Sequence, residues 1–96
     1  MRFAFHPDAE SEFDQAVAYY EARQSGLGLE LADAVLATIA QILDYPEAGS
    51  SFSKNTRRCL AKRFPYGIIY QIHEGTVRII AVAHLSRRPG YWEDRV

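Results

Sequence analysis

Cys59 is the only cysteine, which excludes an internal disulfide and leaves no thiol cluster for a structural zinc. His6 and His73 have no acidic or thiol partners at metal-ligand spacing, so they are read as structural and no metal is expected. Long apolar runs are also missing, and no stretch approaches the length of a membrane span. The opening MRFAFHPDAE reaches a proline and an acidic run before it can form a signal-peptide core, so the expectation is a cytoplasmic chain. A phosphate-binding loop is lacking as well. Gly26 and Gly28 follow a helical pattern rather than a strand, and no Lys-Ser/Thr succeeds them, so neither a nucleotide nor any other cofactor is expected.

The 96 residues suit one domain, 1–96, and with 48% apolar residues and no low-complexity segment the chain has the material for a core. Its net charge of −1 conceals a division, because residues 1–47 hold nine acids and two bases while residues 48–96 hold three acids and nine bases. Such a split suits a basic face for an anionic partner and a second face for another, or internal charge pairing.

Arg2 to His6 alternates as a short strand does. Pro7 sets φ for a helix start, and Asp8, Glu10 and Glu12 suit the positive end of a helix dipole. Ala9, Phe13, Ala16, Val17 and Tyr20 share one face of a helix from about Pro7 to Arg23, with Glu12, Asp14 and Glu21 left to solvent. The Gly26–Gly28 break leads to a second stripe, Leu31, Ala32, Val35, Leu36, Ile39, Ile42 and Leu43, on a helix from about Leu29 to Asp44 that Pro46 closes. So short a connection makes the helices an antiparallel hairpin. Glu47 to Thr56 reads as a polar loop, and three strands follow. The first ends at Phe64-Pro65, with Leu60 and Phe64 facing the helices and Cys59, Ala61 and Arg63 the other way. Tyr66 to His73 and Thr76 to His84 come next, joined by the two-residue turn Glu74-Gly75. The expected fold is α+β: a short N-terminal strand, a two-helix hairpin and a three-stranded antiparallel meander, with the helices on one face of the sheet.

The opening HPDAESEF, the hairpin YYEARQSGLGLEL, the strand pair RRCLAKRFPYGIIYQI and the ending VAHLSRRPGYWEDR, in that order, resemble the RelE/ParE superfamily of bacterial type II toxin–antitoxin toxins, on its ParE-like, plasmid-stabilisation side. The resemblance spans nearly the whole chain. It implies a toxin neutralised by a cognate antitoxin, ParD-like or another small DNA-binding protein through which any DNA contact is made. DNA gyrase is the target implied for the ParE-like branch, and ribosome-bound messenger RNA for the RelE-like ribonucleases. This chain departs from the ribonuclease pattern: Gly67-Ile68-Ile69 follows Tyr66 where an arginine is common, and Leu85 stands where another is expected. A homologue that only binds antitoxin is the third reading.

Metal-independent RNA cleavage needs a base, an acid and cations at the phosphate, and His84, Tyr91, Arg87 and Lys62, with Arg58 and Arg88, are the residue types present for it. The competing reading has His84 holding the turn at Ser86-Arg87-Arg88-Pro89, with Tyr91 and Trp92 packing the C-terminal segment onto the sheet. Arg57, Arg58, Lys62, Arg63, Arg87, Arg88, Tyr91 and Trp92 form the candidate target-binding rim, for RNA or for an acidic protein surface, against the alternative of a solvated edge. Arg57 and Arg58 are expected to converge with Arg87 and Arg88 at one end of the sheet. On the hairpin, Phe13, Val17, Tyr20, Leu31, Val35, Leu36 and Ile39 are the candidate antitoxin-binding residues.

Overall fold

The computed structural model describes residues 1–52 and 54–96. Strand β1 (Arg2–Phe5) leads into α1 (Pro7–Arg23) and α2 (Leu27–Asp44), followed by β2 (Ser50–Ser51), β3 (Arg57–Leu60), β4 (Tyr66–His73) and β5 (Thr76–His84). A 3₁₀ turn at Glu93–Arg95 ends the chain.

The first helix has the expected bounds, and its start is capped by His6, whose Nδ1 accepts the Asp8 N–H at 3.0 Å. The second begins two residues earlier than its stripe suggests, at a left-handed Gly26 (φ 88°). Glu21 explains the extension. Its carboxylate accepts the Gly26 and Gly28 amides at 2.9 and 3.0 Å, supplying acceptors for donors that the first turn of α2 leaves free.

The sheet departs from a purely antiparallel meander. Its order is β1-β5-β4-β3-β2: β3, β4 and β5 pair antiparallel, but β1 lies parallel to β5, making five mixed strands. Ser50–Ser51, inside the expected loop, pairs with Arg57 and Arg58. Between β4 and β5 the register slips by one, so that Ile69 faces Ala81, Tyr70 faces Ile79, and Ile80 is left as a bulge. The bulge changes which face β5 shows along its length.

Two apolar layers follow from that register. Toward the helices, Ile68, Tyr70, Val77, Ile79 and Val82 pack with Leu31, Val35, Ile39 and Ile42. On the opposite face Ile69, Ile80 and Ala81 are covered by Trp92, which is 4% exposed. The expected parity is reversed from Cys59 to Ala61, while Phe64 faces the helix side as expected. Cys59 lies opposite Ile68 and packs with the helix-side core, as do the buried Ala61 and Phe64, whereas Leu60 is 55% exposed. The strand ends at Leu60, and Arg63 takes a left-handed conformation (φ 72°), so strict alternation cannot be carried on to Phe64.

Candidate functional site

Beside Trp92 gather three guanidinium groups that have no carboxylate partner among the described residues. Arg58 pairs in register with Ile69, so it projects away from the helices. Gly67 leaves room for its stem, since a Cβ there would sit 3.0 Å from Arg58 Cδ and 3.2 Å from Cγ. The Arg58 guanidinium lies 4.9 Å from the Phe52 ring centroid, and Phe52 stacks on Trp92 at 6.2 Å. Across the pocket, Arg87 lies 3.8 Å over the Tyr91 ring, a geometry in which the cation is held by the ring's negative face. Arg58, His84, Arg87, Arg88, Tyr91 and Trp92 thus line one recess of about 110 Å³. Among the described residues neither Arg58, Arg87 nor Arg88 makes an ion pair.

The other rim residues lie elsewhere. Arg57, opposite Tyr70, turns to the other face, and its Nη1 donates to the carbonyls of Glu47 and Gly49 at 2.8 and 2.9 Å. It ties down the loop after α2 together with Tyr70, whose hydroxyl donates to Pro46 O at 2.7 Å. The expected convergence of Arg57 with Arg87 and Arg88 therefore fails, because neighbours along a strand point to opposite faces. Lys62 borders a cleft against Ala34, Ala37 and Gln41 of α2. Arg63 pairs with Glu30 at 2.8 Å, with both side chains about half exposed or more.

The acid–base candidates are already engaged. His84 Nδ1 accepts the Ser86 N–H at 3.0 Å and lies 2.7 Å from the Ser86 hydroxyl, which places the neutral ring's N–H on Nε2. The ring also stands edge-on to Tyr66 at 5.2 Å. Tyr91 donates its hydroxyl to Glu12 Oε2 at 2.8 Å. Burial first, then that bond to Glu12, pushes the phenol well above the ordinary tyrosine range. It is a weaker acid than a free tyrosine, and its proton is held by a carboxylate.

Glu12 itself overturns the expectation of a wet helical position. Its carboxylate accepts Tyr91 O–H, Val82 N–H at 3.0 Å and two bonds from Arg95 at 3.0 and 2.9 Å. Arg95, its side chain 12% exposed, also donates to Ile80 O at 3.0 Å. Phe52 and Glu12 both escape sequence reasoning here: one sits in a polar loop and the other on an apparently solvent-facing turn.

On the hairpin, Leu31, Val35 and Ile39 are spent in the core at 0–1% exposure, so these three offer no free surface to an antitoxin. Phe13, Val17 and Tyr20 are half-buried against the same core. Leu36, at 45%, remains accessible, and Leu29, at 65%, joins it one face-repeat earlier. No group of three or more metal-ligating side chains gathers among the described residues. None of the described helices is long and apolar enough to cross a membrane.

No curated protein matches the chain in sequence. The solved structure of a chromosomal ParDE toxin–antitoxin system from P. aeruginosa is similar in fold, with a TM-score of 0.75 at 13% identity, over 90% of this chain and 97% of that one. A family model described as the ParE toxin of the type II toxin–antitoxin system parDE matches residues 3–89, from β1 through the helical hairpin and the sheet to the arginine turn. The chain belongs to the ParE toxin family of type II toxin–antitoxin systems.

Proposed function

We propose that the protein acts as a toxin by binding rather than by cleavage, with DNA gyrase as its target in the cytoplasm and the arginine recess as the contact. The observation that carries this reading is the recess itself. Arg58, Arg87 and Arg88 have no carboxylate partner among the described residues and sit among Phe52, Tyr91 and Trp92. Arginine and large aromatics in a concave patch are the residue types that dominate protein interfaces, and an acidic partner surface would complete the missing ion pairs. The alternative chemistry is poorly served. His84 Nδ1 and the Tyr91 proton are committed to Ser86 and Glu12, and Lys62 stands on the α2 side.

Neutralisation is assigned to a cognate antitoxin that lays an apolar segment along Leu29 and Leu36 of α2, where the hairpin exposes its large aliphatic side chains. Any operator DNA is then met through the antitoxin.

Controlled expression without the antitoxin tests the reading. Growth arrest with gyrase-trapped DNA breaks and intact messages is expected. Cleaved messages without trapped breaks would reverse the assignment in favour of a ribonuclease, and no arrest at all would leave an antitoxin-binding homologue.

A further inference from the structure

Residues 90–96 lie beyond the stretch that the family model matches, yet Tyr91 and Trp92 form one wall of the recess. What holds this strap is the first helix, chiefly through the Glu12 carboxylate, with that of Asp8 farther off at 3.8 Å from Arg95. Strand β1 covers β5 only as far as Ile79, whose carbonyl accepts the His6 N–H at 2.8 Å. Past that point Ile80 O and Val82 N–H are edge groups of the sheet beside the bulge. Arg95 takes the first and Glu12 the second, while the two side chains bind each other twice. The strap is thereby stitched to the sheet edge where a strand would otherwise continue.

The consequence reaches Arg87. The Tyr91 ring has the Arg87 guanidinium at 3.8 Å and that of Arg95 at 5.1 Å, two cations over one ring. Their repulsion is offset because Glu12 neutralises Arg95, and because the Tyr91 hydroxyl is bonded to an anion, which enriches the ring that holds Arg87. Among the described residues both carboxylates here, Glu12 and Asp8, pair with Arg95, and the cation without one is Arg87 at the recess.

We propose that Glu12 is the positioning residue of the recess: through Arg95 it clamps the C-terminal strap, and through Tyr91 it holds Arg87 ready for a carboxylate of the protein target. The proposal rests on the binding reading given above, but its structural half can be tested separately.

A double-mutant cycle on the full-length protein binding purified gyrase reads the coupling. Glu12→Gln keeps an acceptor for Val82 N–H and loses the charge. It is expected to weaken binding about tenfold in the wild-type background and by less than about threefold when Arg87 is already alanine. Equal losses in both backgrounds would overturn the coupling, since a general loosening of the fold does not depend on Arg87. Trp92, the only tryptophan, reports the strap without any ligand. Acrylamide quenching of its fluorescence should rise in Glu12→Gln and in Arg95→Gln while far-ultraviolet circular dichroism is unchanged. Unchanged quenching in both variants would overturn the clamp. If the wild type fails to bind gyrase, the target assignment falls, and the clamp still stands or falls on the quenching.

Discussion

Glu12 and Arg95, 83 positions apart, face each other through two hydrogen bonds of 3.0 and 2.9 Å, with side chains only 16% and 12% exposed. The pair is asymmetric. Removing Arg95 leaves a carboxylate that still accepts Val82 N–H and Tyr91 O–H. Removing Glu12 leaves two donors without acceptors and a mostly buried cation whose remaining counter-charge is Asp8, 3.8 Å away and largely exposed. Glu12→Ala is therefore expected to destabilise by about 3–5 kcal/mol, the cost of breaking a mostly buried ion pair and orphaning two donors with it, and Arg95→Ala by about 1–3 kcal/mol. Urea unfolding of both variants checks the order. A larger loss for Arg95→Ala would mean that the guanidinium, not the carboxylate, anchors the strap.

Gly28 sits in the first turn of α2, where alanine would ordinarily be favoured by about 1 kcal/mol. Here a Cβ would fall 2.5 Å from the Val17 carbonyl oxygen and 2.8 Å from Glu21 Cβ. A backbone oxygen does not give way as a flexible side-chain end does, so the helices must part. Gly28→Ala should destabilise by about 1–3 kcal/mol, the usual range for overpacking. A midpoint of thermal unfolding equal to or above that of the wild type would show that the hairpin can open at no cost.

Local patterns in this chain are legible, and pairings across it are not. Pro7 to Arg23 is read correctly because its opening proline, dipole charges and apolar spacing all lie within the helix. The Glu74-Gly75 turn is read correctly because two residues between apolar runs leave few alternatives, and both adopt positive φ, 50° and 77°. The parallel placement of β1 beside β5 has no local signature, since it depends on the helical crossover between them. Ser50–Ser51 carries no apolar alternation and is a strand only because β3 pairs with it. At the site, Arg58, Arg87, Arg88, Tyr91 and Trp92 are recognisable from residue type. Arg57 looks equivalent to Arg58 until the register assigns them to opposite faces. Glu12 looks solvated on a helical wheel, which cannot show that a sheet edge and the chain terminus approach that turn. The wide stripe of α2 suggests packing on the sheet as well as on α1, and these consume most of it, leaving less for a partner than the hairpin's apolar residues imply.

Tyr91 offers a pH signature. Its pKa in the folded protein is raised by burial and by Glu12, whereas in the unfolded chain it returns to the ordinary value near 10. A raised folded pKa means that its stabilising contribution is complete below pH 10 and is lost as pH climbs beyond it, because the unfolded state then releases the proton first. Tyr66 and Tyr70 are also raised, each mainly by burial, so the alkaline slope of the wild type is shared. The difference between wild type and Tyr91→Phe isolates the share of Tyr91. It should be constant from about pH 7 to 9 and shrink above pH 10 by at most about 1.4 kcal/mol per unit. A difference that stays flat to pH 11 would place the Tyr91 hydroxyl in water rather than on Glu12.

The recess predicts which cations matter to the target. Arg58 and Arg88 line it without ion-pair partners among the described residues, whereas Lys62 borders the α2 cleft and Arg63 is paired with Glu30. Replacing Arg58 and Arg88 by alanine should cut affinity for gyrase far more than replacing Lys62 and Arg63. Clustered surface charges act mainly on the association rate, and screening shortens their reach from about 10 Å at 0.1 M salt to about 3 Å at 1 M. The loss from the Arg58/Arg88 pair should accordingly be about tenfold or more at 0.1 M and contract at 1 M, with dissociation rates changing less. Folding stability should fall by under about 2 kcal/mol, since exposed charges contribute little and the double substitution otherwise removes the packing of the Arg58 guanidinium on the Phe52 ring. Surface plasmon resonance of the two double mutants at both salt concentrations decides the matter. If the Lys62/Arg63 variant loses as much affinity as the other, the binding surface lies at the α2 end of the sheet and the recess is not the binding site.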